Sequence, residues 1–398
     1  MIANKTGASV ASLLSLSLLS GAAFACPPTK TWTTGPAEEA GVVLAEAAVV
    51  AERIAGPFEV PFSVAVLPDG SFLVTERPGR LKHVKRGADS HDVTGVPAVL
   101  YLGHGGLLDV AVDPDFNTNG VVYLSYLQGD ETQSTLRVMK AKFDEQSETL
   151  ADAAVIFESN PAPKHDQIGG RIALTGDGYL FLSLGDLWEG DRAQDLKDLR
   201  GSIVRIRTDG SIPEDNPFRG RPDARPEIWS YGHRNPQGLA FDRVTGLLWS
   251  HEHGAQGGDE LNLIRPGANY GWPIASYSMD YSGRSIAINS EMPGTQLPVH
   301  YWVPLSIAPS GLAVYTAQAP NTALWISTLA GQMVVNLSVA GECVASERHL
   351  LKERIGRIRD IRTDRNGTVY VLTGTARSTD SRPRPRTLPA KPTSSAPD

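Results

Sequence analysis

The chain has 398 residues, of which 41% are hydrophobic and 20% charged, with a formal charge of −7, 39 glycines and 28 prolines. That apolar share excludes a disordered or fibrous chain, and an acidic balance without a basic stripe excludes a protein that binds nucleic acid by displacing counterions. The glycine and proline counts suit many short strands joined by turns.

Lys5, the apolar run Val10 to Leu19 and the small-x-small triplet Ala23-Phe24-Ala25 read as a cleaved export signal over residues 1–25. The run is too short to span a bilayer. The expected location is therefore periplasmic or secreted, with a lipoprotein attached through Cys26 a poorer fit. Cys26 and Cys343 are the only cysteines; they could pair in an oxidising compartment or remain two unrelated thiols. Residues 26–55, rich in Ala, Thr and Pro, are expected to be extended.

From residue 56 an imperfect strand-turn-strand unit repeats. Its copies are Phe62 to Glu76, Leu107 to Tyr126, Arg171 to Ser183, Gly238 to Ser250, Gly311 to Ser327 and Ile358 to Leu372. Each pairs β-branched and aromatic runs across a turn, most often one containing Asp or Gly. Six copies at blade-like spacing predict an all-β fold, a six-bladed β-propeller of four-stranded blades over residues 56–377. A β-sandwich does not explain six copies of one unit. The polar segment 378–398 is expected to be disordered.

Polar clusters interrupt this pattern. They are Gly103 to Asp109, His165 to Arg171, Tyr231 to Gly238, His251 to Glu260 running into Asn269 to Pro273, and Arg357 to Asp360. Most precede a repeat, and such positions converge around the channel of a propeller. Individually they have plainer readings. His104 among glycines suits a turn, and His233 and His253 suit loop hydrogen bonds. Arg357 and Arg359 alternate and so share one face of a strand, either salt-bridged or facing an anion. Glu252, Asp259 and Glu260 beside glycine carbonyls have the oxygen chemistry of a calcium site, without EF-hand spacing. No serine-nucleophile or nicotinamide motif is present.

In this order the clusters resemble the soluble PQQ-dependent aldose sugar dehydrogenases, the glucose/sorbosone dehydrogenase family, from about Gly56 to Thr375. The resemblance implies a quinoprotein that oxidises an aldose by hydride transfer to pyrroloquinoline quinone (PQQ), with Ca²⁺ polarising the quinone. The implied partners are a sugar and an external electron acceptor, without nucleic acid or a stable membrane span. Carried over by position, Arg234, Asn235, Tyr281, Arg357 and Arg359 contact the cofactor, Asp166 and Gln167 the substrate, and Gly254, Ala255, Glu260 and Tyr270 the calcium.

The chain departs from the family pattern in several places. Gln167 stands where the family carries its catalytic His, and His104 where it carries a Gln. Ala330 replaces a Lys, Ala255 a Pro and Leu187 an Arg. A Gln amide cannot accept a hydroxyl proton near neutral pH. His104 is therefore expected to be both the base and a cofactor contact, with Gln167 and Arg234 completing the catalytic set and His165 the competing base. The alternatives are a catalytically degenerate propeller that binds a sugar or protein, and a calcium-dependent lactonase-like hydrolase.

Overall fold

The computed structural model describes residues 49–319 and 321–374. The expected signal segment, Cys26 and the tail lie outside the described residues.

The first sheet holds β1 (Pro61–Val66), β2 (Phe72–Glu76), β3 (Arg80–Val84) and β4 (Ser90–Asp92). The second holds β5 (Leu107–Val112), β6 (Val121–Gly129), β7 (Ser134–Asp144) and β8 (Thr149–Glu158). The third holds β9 (Gly169–Leu174), β10 (Tyr179–Leu184), β11 (Ser202–Arg207) and β12 (Ile228–Tyr231). The fourth holds β13 (Pro236–Asp242), β14 (Leu247–Glu252), β15 (Asp259–Ile264) and β16 (His300–Trp302). The fifth holds β17 (Pro309–Gln318), β18 (Asn321–Thr328), β19 (Val334–Ala340) and β20 (Cys343–Leu350), with Cys343 in a disulfide. Strands pair antiparallel with their sequence neighbours.

Among the described residues the last sheet has two strands, β21 (Ile358–Thr363) and β22 (Val369–Thr373). The expectation of six four-stranded blades is therefore corrected: among the described residues the all-β propeller has five such blades, and a two-stranded sheet stands between the fifth and the first. After Thr373 the sequence runs Gly-Thr-Ala-Arg-Ser, without the alternation of β-branched or aromatic residues that marks the other strands. Among the described residues, helix is limited to Phe116–Asn119 and a 3-10 turn at Gly190–Gln194, and no helix is long and apolar enough to cross a membrane.

β1, β5, β9, β13, β17 and β21 form a closed ring, each beside the next. Packed between neighbouring sheets, inner strands are buried on both faces; β9 is buried at every residue, whereas β4 at the rim is fully exposed. This gradient explains why inner strands read as apolar runs and outer ones as polar. Separate apolar clusters fill the gaps, such as Leu108, Tyr123, Ile172 and Leu182 between the second and third sheets. Val64, Phe72 and Leu372 join the first sheet to the last, and Ala313, Ile358 and Ile361 join the last to the fifth.

The ring is tied across its axis by Arg171, which is 1% exposed. Its guanidinium donates to the carbonyls of Gln237 (2.9 Å), Ser310 (2.7 Å) and Arg359 (3.3 Å), and lies 3.4 Å from Asp109 and 3.2 Å from Asp360. Arg362 meets the same two carboxylates at 2.8 and 3.2 Å. Buried charges persist when paired and hydrogen-bonded in this way. Five inner strands thus meet at one side chain.

Candidate functional site

Every inner hairpin carries a register shift at the start of its inner strand, as between Pro61 and Ser63, Pro236 and Gly238, and Ile358 and Asp360. Such bulges re-aim the residues beside them. All six inner strands end at one mouth of the channel, so their bulged starts, and the loops carrying His104, Gln167, Arg234 and Arg357, lie toward the other.

Arg234 organises this end. It is 4% exposed, and its Cζ lies 5.4 Å from the Trp188 ring centroid and 5.3 Å from that of Trp272. Nη1 donates to the carbonyls of Gly254 (2.7 Å) and His253 (3.1 Å). Nη2 donates to Gln167 Oε1 at 2.9 Å, while Gln167 Nε2 donates to Asp186 Oδ1 at 2.6 Å. Gln167 is buried and held at φ 53°. Gly185 cannot carry a side chain beside it, since a Cβ there would lie 1.7 Å from the Gln167 carbonyl.

Asp186 is the hub that sequence reading missed. Its carboxylate also accepts from the Trp188 N–H (2.9 Å) and Trp272 Nε1 (2.8 Å), and its own N–H donates to the Arg234 carbonyl (2.8 Å). Burial raises its pKa against the pull of Arg234. The bonds hold Leu187 and Trp188 in the left-handed region, at φ 53° and 62°, a cost of about 1–3 kcal/mol each that surrounding structure must offset. Trp188 is thereby presented 47% exposed, 6.1 Å from the ring of exposed Tyr281. The Gly185-Asp186 pair was the available signal, but nothing local showed that its carboxylate reaches two other loops.

His104 and Asp166 are both about half exposed, with His104 Nδ1 3.5 Å from Asp166 Oδ1. The Gln167 backbone N–H donates to the same Nδ1 at 3.2 Å. It is therefore the backbone of Gln167 that meets the His104 ring, while the side-chain amide turns to Asp186 and Arg234. His165 faces outward, bonded to Ser134 Oγ (2.9 Å) and the Glu131 carbonyl (3.1 Å).

Asn235 is buried and accepts from Gln237 Nε2 at 3.1 Å. Arg359 lies over Phe62, 5.9 Å from its centroid, and Arg357 is half-buried just before β21, its carbonyl accepting from Gly374 N. Burial, reinforced by the charges of Arg234, His251 and Arg359, pushes the part-buried His253 down to about 3 against its bond to the Pro309 carbonyl.

Behind Arg234 lies a small cavity lined by Glu252, Glu260, Tyr270, Trp272 and Ser278, among others. Glu252 and Glu260 face each other across β14 and β15. They share Asn262 Nδ2 at 3.2 and 3.3 Å. Burial first, then the Glu252 charge, raises the Glu260 pKa well above the usual range. Asn262 Oδ1 is buried without a partner. Two crowded carboxylates and an orphaned amide oxygen are donors suited to a hard cation. Among the described residues no three His, Cys, Asp or Glu side chains converge, so remaining ligands there would be amide or carbonyl oxygens. Tyr270 offers only its carbonyl, because its hydroxyl bonds Leu263 O and Arg265 N. Gly254 O is taken by Arg234, and Ala255 N donates to Ser278 Oγ.

Comparison with known proteins accords with this geometry. Residues 58–379 match the Glucose / Sorbosone dehydrogenase family. The aldose sugar dehydrogenase YliI of Escherichia coli is 40% identical over 338 residues, spanning 83% of this chain and 91% of the relative. The crystal structure of the soluble E. coli aldose sugar dehydrogenase in its apo form superposes with a TM-score of 0.74 at 39% identity, covering 79% of this chain and 93% of that one. The PQQ-bound aldose sugar dehydrogenase of Streptomyces coelicolor does so with a TM-score of 0.69 at 30% identity, covering 83% and 95%. With a family match across the whole propeller and a relative at this identity, the chain belongs to the glucose/sorbosone dehydrogenase family.

Proposed function

We propose that this protein is an exported PQQ-dependent dehydrogenase that oxidises the anomeric carbon of an aldose. The observation that carries the reading is Arg234, clamped between two tryptophans and hydrogen-bonded to Gln167 and Gly254. Guanidinium groups suit a planar tricarboxylic anion because they bind carboxylates bidentately. In this reading Arg357 and Arg359 hold the cofactor carboxylates, and Arg234, Asn235 and Tyr281 hold its ring system. PQQ, when bound, supplies the hydride acceptor. Calcium would take carbonyl oxygens at Gly254 and Ala255, which requires Arg234 to release Gly254, and a second ion would suit Glu260 and the Tyr270 carbonyl.

Two groups compete for His104 Nδ1. Accepting from the Gln167 N–H leaves the ring proton on Nε2, whereas donating to Asp166 leaves Nε2 able to accept a proton. The base role belongs to the second tautomer, with Asp166 holding the ring. Gln167, fixed by Asp186 and Arg234, orients a sugar hydroxyl. The same fixed amide favours a second reading, a propeller that binds its ligand without turnover, because a Gln in the family's His position accepts no proton. The test is reconstitution with PQQ and Ca²⁺, followed by dye reduction with a panel of aldoses. PQQ binding with turnover supports the dehydrogenase, binding without turnover supports the second reading, and no binding refutes both cofactor assignments.

A further inference from the structure

The channel mouth away from Arg234 is a cavity of about 870 Å³ formed by the closing ends of all six inner strands. Its walls are polar and apolar in nearly equal parts, the apolar part including Val66, Val112, Leu174, Phe241, Val314 and Tyr315. Arg362, committed to Asp109 and Asp360, is among its lining residues. The carboxylates of this mouth are held in their own turns. Asp69 accepts from Ser71 N at 2.8 Å, Asp113 from Asn119 Nδ2 at 2.9 Å, Asp242 from Thr245 Oγ at 2.6 Å, and Asp364 from Thr368 N at 2.9 Å.

Two cations in the same lining, Arg243 and Arg365, differ. Among the described residues neither guanidinium has a carboxylate within 4.0 Å or a hydrogen bond to protein. Both are exposed at the rim of the mouth, and partial burial of Arg243, with the like charge of Arg365, lowers its pKa against the pull of Asp113 and Asp115. Two cations lining one mouth, with no such partner among the described residues, form a surface that a ligand would complete. Its volume falls in the range of ligand sites, where apolar walls carry the body of a ligand and polar groups fix its orientation.

We propose that this mouth is a second binding site, for a small amphipathic anion whose apolar body lies on the strand walls and whose acidic head meets Arg243 and Arg365. The inference is independent of the sugar chemistry at the other mouth, since the Arg171 network lies between them.

The test is a fluorescence titration of the full chain with 8-anilinonaphthalene-1-sulfonate, an aromatic anion, beside its uncharged relative N-phenyl-1-naphthylamine. The sulfonate is expected to bind one per chain. Arg243→Gln/Arg365→Gln should weaken it by about tenfold or more, the scale of one or more charge-assisted hydrogen bonds. Val112→Trp, which fills the wall, should weaken both dyes, and Trp188→Ala at the far mouth should change neither. If Val112→Trp fails to fold, the arginine pair decides alone, circular dichroism confirming its fold. A smaller loss in the double arginine variant, or abolition by Trp188→Ala, overturns the proposal.

Discussion

Replacing Arg171 with Met tests whether the propeller is held at its axis. The substitution nearly preserves bulk but removes the donor to Gln237, Ser310 and Arg359 and the cation beside Asp109 and Asp360. Those carboxylates are 1% and 0% exposed, so water cannot replace what is lost. Arg362 still compensates them in part, while three carbonyls lose a donor. Breaking a buried pair by deleting one partner costs about 3–5 kcal/mol. At roughly 2 °C per kcal/mol for a large domain, the unfolding midpoint should fall by about 6–10 °C. Tryptophan fluorescence during heating reports it, because Trp249 is fully buried between sheets. Adding Asp109→Asn should recover part of the loss, since one fewer charge is then left unbalanced. A fall below about 2 °C for Arg171→Met would show that Arg362 and the apolar clusters suffice and refute the argument.

Other outcomes follow from the site and the rim. Arg357→Ala and Arg359→Ala should each weaken PQQ binding by about 1.5–3 kcal/mol, read by equilibrium titration; unchanged affinity in both would remove them from the cofactor assignment. His104→Gln should lower kcat by about 10²–10⁴-fold if His104 is the base, whereas His165→Ala, whose ring faces Ser134 and Glu131, should be mild. Glu347, between blades at the rim, is raised by burial but held down to about 2 by bonds from His300 and His349 and their charge, aided by Trp302. Its folded pKa lies below the ordinary carboxylate value of 4.5, so its contribution is present above that pH and fades as pH falls toward 2, at most about 3 kcal/mol. Glu347→Gln should therefore lower the midpoint at pH 6 and do so progressively less by pH 3; a pH-independent gap would show that the carboxylate charge is not what matters.

What could be read from the sequence was local. Val64 to Val74, Val110 to Leu124 and Ala240 to Trp249 announce hairpins because side-chain alternation and turn chemistry act between near neighbours. The clusters at His104, Gln167 and Arg234 were legible because polar loops between apolar strands need a purpose other than packing. The number of strands per blade was less legible: the outer strands are short and polar, and the last sheet stops at two.

Contacts between distant segments were settled only by the tertiary structure. Arg171 was visible as the end of a Gly-Gly-Arg motif, yet its partners lie as far away as Arg359, and only ring closure brings them to one axis. Asp186 looked like one acid in a loop until folding set it against Gln167, Trp188 and Trp272. The resemblance implied an exchange of His and Gln between positions 104 and 167. It did not imply that the His104 ring meets the backbone of Gln167, while its amide is drawn to Arg234. Residue type sets what a side chain can donate or accept, but which partner it meets depends on how separate blades close around the axis.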